Sequence, residues 1–295
     1  MRIIILTHDN DRHYYLCNQI IESGNNVVGV IAGGKYIYKT TTKRDKFYKL
    51  IKNNEILSFF KNKFLNFCFK SYGKAFYKEK EEAENHFFSG EKKHFIQHYN
   101  KILVTKVQSQ HHSINDPYYV SLIQELKPDI IIVMGTCLIG KKIIESAKNV
   151  INLHTGLSPY YRGGHTNLWP IVKESPNMFG VTVHEMSLGI DSGNIIFTNQ
   201  PDLDKNDNYG TINCKCIQLG TKKVIESIKN IEKNSLYSIK QWTPGKIFFN
   251  KDWNNYFAYQ YFKKKENIIL QSLKNIKNQS LPKICLVNNG KKHDV

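Results

Sequence analysis

The sequence predicts an α/β fold: a doubly wound, mostly parallel sheet with a helical insertion and a small C-terminal extension. Three observations predict it. Short β-branched runs alternate with amphipathic segments along most of the chain. The run Asp129-Ile130-Ile131-Ile132-Val133-Met134 is apolar beyond its first residue, as expected of a central strand covered on both faces. The order strand, helix, strand recurs, which favours parallel strands joined by right-handed crossovers.

The elements follow in order. Ile3–Leu6 reads as a buried first strand, and a helix from about Arg12 to Ser23 is closed by Gly24. Val27–Ala32 is a second strand. From Tyr36 to about Asn100 the chain is rich in Lys, Phe and Tyr and has no clear strand. Phe59, Phe60, Phe64 and Phe67 stand at helical spacing, so residues 36–100 are expected to be a helical insertion packed by these rings onto the main domain. Ile102–Thr105 resumes the strand pattern. Asp116-Pro117 starts a helix, with Asp as N-cap and Pro in the first turn, running to about Leu126.

After the central strand come a short helix at Lys141–Ala147 and a strand at Val150–His154. Val181–Glu185 and Asn194–Thr198 are two further strands, joined by Ser187-Leu188-Gly189-Ile190-Asp191-Ser192-Gly193. A long helix covers about Tyr209 to Ile231. Pro244–Phe249 is expected in a small hairpin followed by a basic tail. The domain reading is therefore 1–235 for the main domain and 236–295 for a C-terminal hairpin and tail. The first strand runs into Thr7-His8-Asp9-Asn10 rather than a glycine-rich turn, so the sheet is Rossmann-like without a nicotinamide dinucleotide site.

Composition narrows the setting. Hydrophobic residues make up 41% of the 295 residues and charged residues 23%, an ordinary globular balance. The net charge of +17 attracts anionic partners, but its lysines are scattered among Asn and Ile, so composition alone accounts for it. The six cysteines have no disulfide-framework or metal-ligand spacing, and no metal is expected. The apolar start is too short for a secretory signal and no stretch is long enough to span a bilayer, so a cytoplasmic protein is expected.

In open α/β sheets the ligand crevice lies beyond the carboxyl ends of the strands. Three polar elements are expected there: the loop after Met134, the pair Asn152 and His154, and the loop holding Asp191. Asn152 and His154 are two apart on a strand and so share a face. An amide donor, an imidazole and a carboxylate suit acyl transfer. The first steadies an oxyanion, the second moves protons, and the third orients the second. An amine acceptor that attacks the acyl group directly needs no serine or cysteine nucleophile.

The stretch Asn152-Leu153-His154-Thr155-Gly156-Leu157-Ser158-Pro159-Tyr160-Tyr161-Arg162-Gly163, then Gly180-Val181-Thr182-Val183-His184, then Gly189-Ile190-Asp191-Ser192-Gly193-Asn194-Ile195-Ile196, resembles the 10-formyltetrahydrofolate-dependent formyltransferases. The resemblance covers about residues 100–235, and the first strand loosely. It implies Asn152, His154 and Asp191 as the catalytic trio. It also implies N10-formyltetrahydrofolate as co-substrate, its pterin ring wrapped by Met134, Gly135, Cys137, Leu138 and Ile139 and by Leu188 and Gly189. His184 matches a family histidine near the site. Thr155-Gly156 departs from the Pro-Ser that the family often has there, in a loop that faces the acceptor.

Among the family's branches, glycinamide ribonucleotide enzymes are normally shorter with a Gly-rich loop after strand one, and methionyl-tRNA enzymes normally carry a larger C-terminal barrel. The sequence is most like the sugar N-formyltransferases, which act on nucleotide-linked amino sugars for surface polysaccharides. Arg12, His13 and Arg162 are the candidates for the diphosphate, by charge. A homodimer fits the expectation, and nucleic acid is not expected as a partner. Methionyl-tRNA formylation and formyl-folate hydrolysis are the alternatives.

Overall fold

A computed structural model describes residues 1–33, 51, 55–108, 111, 113–278 and 284–294. Its centre is a nine-stranded sheet in the order β3-β2-β1-β4-β5-β7-β8-β10-β11. The first five of these are β1 (Arg2–Thr7), β2 (Asn26–Ala32), β3 (Leu103–Lys106), β4 (Ile130–Val133) and β5 (Asn149–His154). They run parallel. The remaining four, β7 (Val181–Glu185), β8 (Ile195–Asn199), β10 (Cys285–Asn288) and β11 (Lys291–Asp294), continue the sheet antiparallel. The order 3-2-1-4-5 of the parallel part puts a reversal between β1 and β4, where the crevice of a wound sheet opens.

Strand periodicity divides the core between two faces. Ile3, Ile5, Ile130, Ile132, Ile151 and Leu153 meet α1 (Asp11–Glu22), the short α7 (Trp169–Val172) and α8 (Tyr209–Glu232) on one side. Ile4, Leu6, Ile131, Val133 and Val150 meet α5 (Pro117–Glu125) and α6 (Lys141–Ile144) on the other. The caps match the sequence logic. Asp116 accepts the Tyr118 N–H at 3.0 Å, and Gly24 takes the left-handed conformation (φ +86°) that closes α1.

Residues 56–98 form α2 (Ile56–Cys68), α3 (Lys70–Phe88) and α4 (Glu91–His98), and 36–50 and 52–54 of the expected insertion lie outside the described residues. α3 and α4 deliver Phe76, Phe88 and Phe95 to the core. The rings of α2 do not follow the expected packing. Phe60, Phe64 and Phe67 are exposed among the described residues, because α2 meets the body through Asn62 and Asn66, bonded to Asn254 and Asn255.

The C-terminal segment also departs from expectation. β9 (Lys246–Phe248) does not fold into a hairpin with its neighbours. It pairs in parallel with β6 (Tyr161–Gly163), whose Gly163 has no Cβ to strike the Phe248 carbonyl. In place of a basic tail there follows α9 (Asn255–Asn278), which sends Ala258, Tyr261, Ile268 and Ile269 into the main core. The hairpin comes last, as β10–β11 on the sheet edge.

Candidate active site

Asn152 and His154 end β5 on the face away from α1 and α8, since Ile151 and Leu153 occupy the other face. Both are buried, at 9% and 7% exposure. Asn152 stands directly opposite His184 in the β5–β7 register. Asp191 arrives by a route the linear order does not suggest. β7 runs antiparallel to β5, so the β7–β8 connection leaves beside the amino half of β5 and folds back over the sheet. The turn needs small residues: a Cβ on Gly193 would stand 1.7 Å from the Glu185 carbonyl oxygen. Asp191 itself takes φ +42°, and Gln241 Nε2 pins the turn by donating to the carbonyls of Asp191 (2.7 Å) and Gly193 (2.9 Å).

The three side chains converge. Asn152 Nδ2 lies 3.3 Å from Asp191 Oδ1, and His154 Nδ1 lies 3.4 Å from Asp191 Oδ2. His184 Nε2 joins them at 3.0 Å from Asn152 Nδ2 and 3.5 Å from Asp191 Oδ1. The Gly163 N–H donates to Asp191 Oδ2 at 2.9 Å. Burial raises the Asp191 pKa, but the neighbouring His154 and the Gly163 N–H outweigh it and hold the carboxylate well below its usual range. Burial is also the largest influence on His154, and it prevails over the pull of Asp191, so the pKa falls below the ordinary 6.5. The imidazole is therefore neutral at rest.

Neutral His154 faces two acceptors, Asp191 Oδ2 at Nδ1 and the Tyr161 carbonyl at Nε2 (3.2 Å). One ring nitrogen must be a bare lone pair, so a proton taken up during reaction meets an acceptor already in place. A Cβ on Gly156 would come within 2.5 Å of His154 Nε2 and of Thr166. Glycine after Thr155 thus leaves room for the imidazole.

The expected pterin loop behaves unevenly. Met134 and Ile139 are buried, whereas Leu138 is 58% exposed and Cys137 lies between these extremes. Gly135 adopts φ +69° with its backbone against the His13 ring. Leu188 is 69% exposed, and Gly189 lies tight against Ser192. Two loops near the trio therefore each present an exposed leucine, which suits a flat heterocycle held between apolar side chains and backbone polar groups.

The expected diphosphate set is not presented as a cluster of free cations. His13 is enclosed: its ring bonds Thr7 Oγ1 at 2.7 Å and accepts from Arg12 Nε at 3.1 Å, and burial and the Arg12 charge keep it neutral. Arg12 pairs with Glu84 at 2.7 Å, and Arg162 is buried with Nη2 on the Pro244 carbonyl. Sequence reasoning did not single out Gln241 or the Gly163 amide, since neither a backbone N–H nor a glutamine 50 residues past its partner leaves a pattern. Among the described residues no cluster of His, Cys, Asp or Glu could hold a metal ion, and no helix is long and apolar enough to cross a membrane.

A family profile described as formyl transferase matches residues 77–228. The methionyl-tRNA formyltransferase of Alkaliphilus oremlandii is 30% identical over 134 residues, 45% of this chain and 43% of that protein. That of Clostridioides difficile is 31% identical over 122 residues, 41% and 39% of the two chains. The match thus spans less than half the length of these curated relatives. Among solved structures, a 4-N formyltransferase from Francisella tularensis aligns with TM-score 0.52 and 17% identity over 99% of this chain and 96% of that one. An N-formyltransferase from Helicobacter canadensis, in complex with folinic acid and dTDP-3-aminofucose, aligns with TM-score 0.54 and 16% identity over 90% and 81%. At these identities the structural matches establish the shared fold.

Proposed function

The chain belongs to the formyl transferase family, and from that premise we propose that it transfers a formyl group from N10-formyltetrahydrofolate to the amine of a nucleotide-linked amino sugar. The observation that carries the proposal is the contact of Asn152, His154 and Asp191, each side chain within 3.4 Å of the Asp191 carboxylate.

The folate supplies an activated formyl carbon when bound. The exposed Leu138 and Leu188 and the left-handed Gly135 suit its pterin ring. Asn152 Nδ2 has two hydrogens, one toward His184 and a longer bond toward Asp191. The second is the one free to swing to the formyl oxygen as that oxygen gains charge. His154, neutral at rest, turns its one N–H to Asp191 and keeps the other nitrogen bare, and that lone pair takes the proton of the attacking amine. Asp191 keeps His154 in one orientation and steadies the imidazolium that forms, whose proton passes to the folate nitrogen as the formyl C–N bond breaks, leaving tetrahydrofolate and the formylated amine.

Acceptor identity has its own support. The described residues of 236–294 form a strand, a long helix and an edge hairpin. The end-to-end alignment with the Francisella 4-N formyltransferase agrees in overall layout. The partial methionyl-tRNA formyltransferase matches favour the second reading, in which methionyl-tRNA is the acceptor. The test is to incubate the protein with N10-formyltetrahydrofolate and, separately, a panel of amino-sugar nucleotides, methionyl-tRNA or no acceptor. A mass gain of one formyl group on a sugar supports the first reading and formyl-methionyl-tRNA the second. Release of formate without acceptor would mean a hydrolase.

A further inference from the structure

We infer that Arg12, His13 and Thr7 form a one-way hydrogen-bond relay that holds the Met134 carbonyl and so sets the shape, and the folate affinity, of the 134–139 loop. The inference rests on the proposed folate role of that loop. The three are positioning residues, and none touches reacting atoms.

Each bond fixes the next. Arg12 Nε can only donate, so His13 Nε2, 3.1 Å away, must accept. The ring proton therefore sits on Nδ1 and goes to Thr7 Oγ1 at 2.7 Å. The Thr7 hydroxyl, with that lone pair occupied, sends its own proton to the Met134 carbonyl at 3.0 Å. His13 is kept neutral by burial, by Arg12 and by His8, as the relay requires, because an imidazolium has no lone pair for Arg12. Thr7 and His13 are 0% and 1% exposed, so water does not substitute for a missing member.

The location gives the relay its consequence. Thr7 ends β1 and Met134 follows β4, the two strands between which the sheet order reverses. Immediately beyond, Gly135 turns at φ +69° over the His13 ring, where a Cβ would stand 2.3 Å from His13 Cε1. The ring is thus both a link in the relay and the floor of the turn. The outer end is anchored in the insertion: Arg12 Nη1 pairs with Glu84 of α3 at 2.7 Å. Loop shape is thereby tied to a helix remote from the chemistry.

The test is titration calorimetry with folinic acid, a folate that carries a formyl group, on the full chain. Thr7→Val keeps the shape and removes the hydroxyl, and it is expected to weaken binding about 5- to 10-fold. Thr7→Ser restores the donor and is expected to bind within about twofold of the parent. Arg12→Met, at the outer end, frees the His13 tautomer and is expected to weaken folinic acid binding about 5- to 10-fold. Wild-type affinity in Thr7→Val and Arg12→Met, or equal weakening in Thr7→Val and Thr7→Ser, would overturn the relay. Failure of the parent chain itself to bind folinic acid would instead overturn the folate reading, and the relay's role with it.

Discussion

Asn152 and His184 face each other across the β5–β7 register, with Asn152 Nδ2 3.0 Å from His184 Nε2. The His184 Nδ1 lies 2.7 Å from the Glu185 carbonyl, which can only accept. Nδ1 therefore carries the proton, Nε2 is a lone pair, and the Asn152 amide nitrogen is drawn toward it. A reversed amide would set its oxygen against that lone pair and against Asp191. His184 thus fixes which end of Asn152 is available as a donor.

Removing that constraint has a measurable effect. His184→Ala is expected to lower kcat about 10-fold by letting the Asn152 amide rotate, with smaller effects on KM for either substrate. Steady-state kinetics with both substrates varied checks this, and a change confined to KM would contradict it.

Gly156 is expected to tolerate no side chain. A methyl group there would enter the space of His154 Nε2 and Thr166, so Gly156→Ala should cost about 1–3 kcal/mol of stability. Displacing His154 should also lower kcat about 10-fold or more. Thermal denaturation and transfer assays on the same preparation separate the two effects.

Gln241→Ala removes the donor to two carbonyls of the Asp191 turn. The expected cost is about 1–3 kcal/mol, with kcat falling as Asp191 loses its place. Unchanged stability and rate would show that Gly193 and the turn alone suffice.

The pH dependence follows from the histidines. The folded-state pKa of His154 lies below the ordinary 6.5, and kcat/KM reports the free enzyme. Activity should be level above about pH 6.5 and fall on acidification as His154 takes a proton. A limb centred above that value would contradict the neutral imidazole.

Stability has the same sign. Burial chiefly, with Lys80 and Arg12, lowers His165 to about 4, and His13 also lies well below 6.5. Below pH 6.5 the unfolded chain binds protons that these buried rings refuse, so stability is lost as pH falls from 6.5 toward 4. His165→Gln should flatten that part of the Tm–pH curve.

Local patterns reveal much of this molecule. The apolar run 129–134, the Asp116 cap and the two-residue spacing of Asn152 and His154 each follow from a few neighbouring residues. Relations between distant segments are not visible that way. Nothing near Lys246 signals parallel pairing with Tyr161, and a basic, Asn-rich stretch conceals the core face of α9. Arg12 and His13 read as diphosphate candidates because charge is visible in a sequence, whereas the pairing of Arg12 and the burial of His13 are not. Asp191 was legible as a residue, but its path was not, because that path depends on the reversal of β7 against β5.

The most direct test compares the parent chain with His154→Ala and Asp191→Asn in single-turnover formyl transfer to an amino-sugar nucleotide, with folinic acid binding and Tm measured alongside. The account predicts rates lower by roughly 10²–10⁴ in both variants, with folding and folate binding retained. Transfer at the parent rate by either variant would contradict it.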